Sequence, residues 1–320
     1  MTRILRDSLQ EEAFQRNGYL KTALLSDKDI RAILEIYKKK EVRDFNSYSE
    51  RPKHEPLSFE DLREIREKAA PILAAQLDHI FSDYQIVFIE FLPKGAKKSY
   101  IPGHQDWLFT DNDLEHTPSI SCFIALTDVT MENGPLGFIK GSHLIKDLVP
   151  PPSPAPIAPL PLIQHSYLIF KYLDYQELKA GEMIIFYNNT IHGSLNNLTN
   201  QDRIVIRIAL TKKSARLVHY YLFPDQQRNS IIKYQVDQDF YIKYRNERIT
   251  RLYESGQLLD EYTELEKLTY QYPAYTTKQL EKIFVSLGNT PTVHHRYLPE
   301  AEEKNDWKNR LLRLFRRNNR

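Results

Sequence analysis

Apolar residues in the first quarter of the chain recur three or four positions apart. Ile30, Ile33, Leu34 and Tyr37 form one stripe, and Leu62, Ile65, Ala69, Ile72, Leu73 and Leu77 form another. That spacing belongs to one face of a helix. Ser26 opens the first stripe with Ser-Asp-Lys-Asp, a capping-box pattern. Ser8–Arg16 reads as a shorter helix, followed by an extended segment from Gly18-Tyr19-Leu20. Pro71 lies inside the second stripe and is expected to kink or split the helix over Ser58–Phe81. Residues 39–57 are polar, contain Pro52 and Pro56, and read as a loop.

From Tyr84 the pattern changes. Tyr84–Leu92, Ser119–Val129, Tyr167–Leu173, Met183–Tyr187, Arg203–Thr211 and Leu217–Phe223 are rich in β-branched and aromatic residues, with Pro, Gly, Asn and Asp between them. Many short strands without intervening helices predict a sandwich or barrel rather than a parallel α/β sheet. Val149–Leu162 carries seven prolines in fourteen residues, which excludes a central strand and predicts a surface loop. Beyond about Ala215 the chain is charged and tyrosine-rich, with helical patches at Asp239–Leu259, Thr277–Leu287 and Glu300–Arg317. Thr276 with Gln279 offers a capping box for the middle one. The last is amphipathic and basic, a pattern that suits docking on protein more often than lying on an anionic membrane.

Composition narrows the function classes. At 320 residues the chain can bury a sizeable core. With 44 basic and 42 acidic residues, no global field selects nucleic acid or a membrane surface. The single cysteine, Cys122, excludes an intramolecular disulfide, fits a reducing compartment, and lies in an apolar run expected to be core. The first twenty residues show no signal-peptide pattern, and no apolar run approaches bilayer length. A cytoplasmic location with a small-molecule substrate is the expectation.

The chemistry concentrates in Pro102-Gly103-His104-Gln105-Asp106-Trp107. On an extended backbone His104 and Asp106 leave the same face, while Gln105 points away. An imidazole and a carboxylate aimed at one point need one more imidazole to make the two-histidine, one-carboxylate set of non-heme iron(II) oxygenases. His192 is the best candidate. A His-x-Asp alone is a weak signal in a chain with ten histidines. Its surroundings strengthen it. Asp128 to Leu136 contains Glu132-Asn133-Gly134-Pro135 and runs on to Gly141-Ser142-His143. Ala180-Gly181-Glu182 precedes an apolar strand that leads to Thr190-Ile191-His192-Gly193-Ser194, and Arg203 follows.

This ordered set resembles the phytanoyl-CoA dioxygenase family of iron(II)/2-oxoglutarate oxygenases over roughly residues 10–213. The resemblance implies a double-stranded β-helix, the cupin-like jelly roll, over 1–215, with a helical extension over 216–320. It implies His104, Asp106 and His192 as ligands to Fe(II), with His143 in a structural loop. It also implies 2-oxoglutarate and O2 as co-substrates, with Arg203 holding the far carboxylate and Ser194 assisting. Asp106 favours hydroxylation over halogenation, because related halogenases have a small residue at that position.

Alternation along Arg203–Thr211 places Arg203, Val205 and Arg207 on one face and Ile204, Ile206 and Ile208 on the other. Arg207 is therefore a candidate anchor for an acidic substrate group, and Trp107 a candidate pocket wall. The extension is expected to pack on the barrel, as a lid or otherwise, or on a sister subunit as in a homodimer. Two other readings compete: a zinc hydrolase on the same triad, which gives Arg203 no task, and a non-catalytic jelly-roll binding protein.

Overall fold

A computed structural model describes residues 1–40, 57–98, 100–111, 117–145, 150–155, 157–158, 160–223, 229–270 and 274–292. In chain order the elements begin with helix α1 (Ser8–Asn17), strand β1 (Tyr19–Ala23), and helices α2 (Asp27–Lys39) and α3 (Phe59–Leu77). Strands β2 (Tyr84–Phe91), β3 (Ile101–His104), β4 (Ile120–Ala125) and β5 (Leu136–Phe138) follow. Helix α4 (Ser166–Tyr172) leads to β6 (Asp174–Gln176), β7 (Glu182–Tyr187), β8 (His192–Ser194) and β9 (Val205–Lys212). The remainder is β10 (Val218–Leu222), β11 (Ser230–Gln235), α5 (Phe240–Lys243), α6 (Asn246–Glu254), β12 (Thr263–Thr269) and α7 (Thr277–Ser286).

Two antiparallel sheets build the jelly roll. The larger runs β1-β7-β4-β9-β2 and the smaller β3-β8-β5-β6. Because side chains alternate across a strand, each strand of the larger sheet serves two cores. Ile206, Ile208 and Leu210 join Ile120, Cys122, Ile124, Met183 and Ile185 on the outer face. The apolar stripes of α2 and α3 cover that face through Ile33, Ile36, Leu62, Ile65 and Leu73. Each fully buried side chain of this kind contributes roughly 1.5–3 kcal/mol. On the inner face Phe123, Ala125, Ile184, Phe186 and Val205 meet Leu136 and Phe138 of the smaller sheet. Cys122 is buried, and burial pushes its thiol pKa up.

The capping boxes at Ser26 and Thr276 form, and Ser58 with Asp61 makes a third. Helix α3 passes through Pro71 without splitting. Asp239–Leu259 breaks into α5 and α6 around Tyr244-Arg245.

Two expectations are corrected. Tyr167–Leu173 is not a strand but holds α4. Leu168, Ile169 and Phe170 are packed with Leu280 and Phe284 of α7, and this packing overrides the β-propensity of the run. The described part of the proline-rich segment is not a surface loop: Ser153, Pro154 and Ala155 are buried. Ser153 exchanges backbone hydrogen bonds with Tyr220 and Leu222 (2.9 and 2.8 Å), and its hydroxyl meets His219 Nε2.

Beyond residue 215 the chain adds a three-stranded sheet, β10-β11-β12, as well as helices. Leu217, Tyr221, Ile232, Phe240 and Tyr241 share a core with Val87 of β2, Ala209 of β9 and Phe109. The loop expected at 39–57 and the helix expected at Glu300–Arg317 fall, apart from a few loop residues, outside the described residues. No described helix is long and apolar enough to cross a membrane.

Candidate metal centre

His104 closes β3 and pairs directly with His192, which opens β8. The two imidazole rings lie 4.3 Å apart, centroid to centroid. Asp106, two residues past the end of β3, is held by a backbone hydrogen bond from its N–H to Asn188 O (2.8 Å). Its Oδ1 lies 3.7 Å from His104 Nε2 and 3.9 Å from His192 Nε2. One ligand atom from each of the three residues falls within 4.8 Å of the others, as a shared metal ion requires.

Local backbone sets the imidazole tautomers. His104 Nδ1 faces Pro102 O at 2.8 Å, and His192 Nδ1 faces Thr190 O at 2.9 Å. A carbonyl accepts only, so each Nδ1 carries the proton and each Nε2 is left with a lone pair toward the shared point. Burial lowers the His104 pKa from 6.5 to about 4, with nearby His192 adding to the effect. Burial also lowers His192, against the opposing pull of Asp106. Both rings are therefore neutral near pH 7, the form that binds metal.

Asp106 divides its two oxygens. While Oδ1 faces the imidazoles, Oδ2 accepts a hydrogen bond from Arg207 Nη2 at 2.8 Å. Burial alone would raise this carboxyl, but Arg207, then His192 and His104, hold it below its ordinary range. Two neutral nitrogens and one carboxylate oxygen on one side of a point are the donor set that suits ferrous iron with open positions opposite.

Arg207 does face the interior, as alternation requires. Its guanidinium is engaged there by side chains of the protein itself. Besides Asp106 it reaches Ser121 Oγ at 3.1 Å and Glu90 Oε1 at 3.3 Å, and its guanidinium stands over the Phe88 ring. Glu90 in turn accepts from Arg245 Nη2 at 2.7 Å. Arg207 thus acts on the candidate ligand carboxylate.

Arg203 is buried just before β9, its guanidinium 5.1 Å from the centre of the Phe123 ring and donating to Gly134 O. Ser194 lies two residues beyond His192 on β8, on the same face. Its hydroxyl is 3.4 Å from the same Gly134 carbonyl. Trp107 is half-buried and packs edge-on against His219 of β10, 5.4 Å between centroids. Gln105 is tied to Asn189 O at 2.6 Å, away from the ligands. His143 lies outside the triad, stacked on Tyr187 with Nε2 against Gln15 O.

Glu90 and Lys94 were not singled out by sequence reasoning. Both are charged residues at alternate positions of one strand and its continuation, Glu90-Phe91-Leu92-Pro93-Lys94. That signal was readable, yet period two alone does not say which face is interior.

The family model described as phytanoyl-CoA dioxygenase (PhyH) matches residues 14–205, more than half of the chain. Over 85 residues the chain is 34% identical to Dioxygenase trt7 of Aspergillus terreus, a match spanning 27% of this chain and about a quarter (24%) of that protein. Among solved structures, the epimerase SnoN in complex with Fe3+, alpha ketoglutarate and nogalamycin RO is similar at a TM-score of 0.48. It is 18% identical, covering 65% of this chain and 84% of that one. The alpha ketoglutarate-dependent carbocyclase SnoK from nogalamycin biosynthesis gives 0.48 at 17% identity, over 66% and 86% of the two chains. EvdO2 from Micromonospora carbonacea var. aurantiaca, complexed with 2-oxoglutarate, gives 0.46 at 18% identity, over 64% and 91%. With one family pattern running from α1 through the triad to Arg203, this chain belongs to the phytanoyl-CoA dioxygenase family.

Proposed function

We propose that the protein is an Fe(II)- and 2-oxoglutarate-dependent dioxygenase that hydroxylates an unactivated C–H of a small metabolite. An amino-acid derivative, an acyl compound or a natural-product intermediate would each fit. The observation that carries this reading is the convergence of His104 Nε2, His192 Nε2 and Asp106 Oδ1, with a buried arginine, Arg203, that reaches the same Gly134 carbonyl as Ser194, two residues beyond His192.

In this reading His104, Asp106 and His192 hold the metal on one face. Bound there with the keto acid, ferrous iron supplies the oxidising chemistry, coupled to loss of CO2 and formation of succinate. The remaining work belongs to the chain. Pro102 and Thr190 carbonyls keep each imidazole in the binding tautomer. Arg207 occupies one carboxylate oxygen of Asp106, so the aspartate offers the metal a single oxygen and leaves positions opposite for co-substrates. Arg203 suits the far carboxylate of 2-oxoglutarate because a guanidinium can hold a carboxylate through two parallel bonds, and Ser194 adds a third. His104, about 15% exposed against 5% for the other two ligands, marks the side from which a substrate would approach. Residues 1–215 form the catalytic unit in this reading, and the extension from 216 packs on it through the core shared with Val87, Phe109 and Ala209.

Anaerobic addition of 2-oxoglutarate to the iron-loaded protein tests the proposal. A weak visible charge-transfer band is expected, absent in His192→Ala and Asp106→Ala. On admission of oxygen, succinate should form in wild type alone. A wild-type protein that binds iron but develops neither band nor succinate would return the triad to a hydrolytic or purely binding role.

A further inference from the structure

Two of the three candidate ligands are placed by strand pairing, and the third is not. His104 and His192 face each other across the ladder of β3 and β8. β3 ends at His104, and residues 105–108 belong to no strand, so the place of Asp106 depends on other bonds. They come from the connection between β7 and β8, where Asn188-Asn189 reads in the sequence as turn punctuation. Asn189 O accepts from Gln105 Nε2 at 2.6 Å, and Asn188 O accepts from the Asp106 N–H at 2.8 Å. The side chain of Asn188 donates from Nδ2 to Trp107 O at 2.5 Å. Three consecutive residues of the metal loop are thus tied to the segment that leads into His192.

Asn188 is fully buried, and its amide has a partner at each end. The directions of these bonds are fixed. Trp107 O is a carbonyl and only accepts, so the amide turns its NH2 that way and its Oδ1 the other. Oδ1 accepts from the Ser121 hydroxyl at 2.9 Å. Arg207 carries only donors, and its Nη2 donates to the same Ser121 oxygen at 3.1 Å. The one hydroxyl proton of Ser121 therefore goes to Asn188, leaving lone pairs for the guanidinium that holds Asp106 Oδ2. One residue thus reaches the carboxylate by two routes, through the backbone around Asp106 and through the arginine behind it.

We propose that Asn188 is a positioning residue of the candidate metal centre. It fixes the loop of Asp106 against the segment that carries His192, and it orients the hydroxyl on which Arg207 rests. This deepens the oxygenase reading and rests on it, through the triad as a metal site. Losing the amide takes the donor from a buried carbonyl next to Asp106 and frees the Ser121 proton to turn toward Arg207.

The test titrates metal-free protein with iron(II) under anaerobic conditions and with cobalt(II), whose visible bands report the geometry of its ligands. Asn188→Leu keeps the approximate size of the side chain and the backbone bonds, but makes neither side-chain bond. Its iron affinity should fall about ten- to a hundredfold, the range for partners that orient metal ligands. Its cobalt bands should change in position or strength. Asn188→Ala repeats the test without the leucine's branch should the first variant fail to fold. Ile65→Ala, in the outer core on α3, is the control for lost stability alone. It should lower the thermal midpoint and keep wild-type iron affinity and cobalt bands. Folded Asn188 variants with wild-type affinity and bands would overturn the positioning role and leave the oxygenase reading standing. So would an Ile65→Ala protein that loses both to the same extent. A wild-type protein that takes up neither ion would overturn both.

Discussion

Asp106 illustrates how much of the site is decided by partners rather than ligands. Its Oδ1 faces two imidazoles and its Oδ2 is taken by Arg207, itself braced by Glu90 and Ser121. Removing the guanidinium leaves a buried carboxylate with less to hold it ionised and free to rotate. Arg207→Gln is therefore expected to weaken iron binding about 10–100-fold, the usual cost of losing such a supporting partner. Keto-acid affinity at saturating iron should change little. An isothermal titration with iron(II) at pH 7.5 measures this, and unchanged metal affinity would reduce Arg207 to packing. The grouping of His104, Asp106 and His192 was legible in the sequence because residue type, spacing and motif order all pointed the same way. The supporting role of Arg207 was not. Alternation put it on the interior face, but its partner depends on register: only the pairing of β9 with β2 and β4 sets Arg207 opposite Glu90 and Phe123.

Elements were legible where one face is apolar and the other polar. The stripes of α2 and α3 and the two-faced strand β9 declare themselves, because each sits between a core and something wet or charged. Tyr167–Leu173 fails that test. It is apolar on nearly every side, and contact with α7 rather than periodicity makes it a helix. β12 fails in the opposite sense: Glu264 and Glu266 alternate along an edge strand that has hardly a buried face to announce it. Helix α4 also bears on the candidate site, since a Cβ on Gly103 would lie 2.5 Å from Ile169 Cγ2. Gly103→Ala must therefore push α4 away from β3, one residue before His104. Overpacking of this kind costs roughly 1–3 kcal/mol. Lower thermal stability and weaker iron binding are both expected. Adding Ile169→Ala should restore the metal affinity while stability stays low, as the truncation leaves a cavity. Metal affinity that is unaffected by Gly103→Ala would show that β3 tolerates the shift.

At the scale of the whole molecule, the extension and the jelly roll are bound by charge as well as by apolar contact. Arg245 of the extension bonds to Glu90, Glu90 to Arg207, and Arg207 to Asp106. The same joint buries His219 between Trp107 and Phe240, while His143 is buried at a separate place beneath α1. Both are deprived of water, and burial takes their pKa values from 6.5 to about 3 for His219 and about 4 for His143. The sign of the consequence follows directly. Above pH 6.5 neither state carries these protons, and the stability from burying neutral rings is fully present. As pH falls below 6.5 the unfolded chain takes up protons that the folded chain refuses until about 4 and 3, so stability declines across that window. Each such histidine contributes a slope of up to about 1.4 kcal/mol per pH unit. Urea unfolding of metal-free protein between pH 7.5 and 5 isolates this range, because carboxylates remain largely ionised there. The midpoint should fall steadily toward pH 5, and less steeply in a His143→Gln/His219→Gln double variant. A flat midpoint in the wild type would mean that both imidazoles reach water in the native state, and that the joint between extension and jelly roll is open.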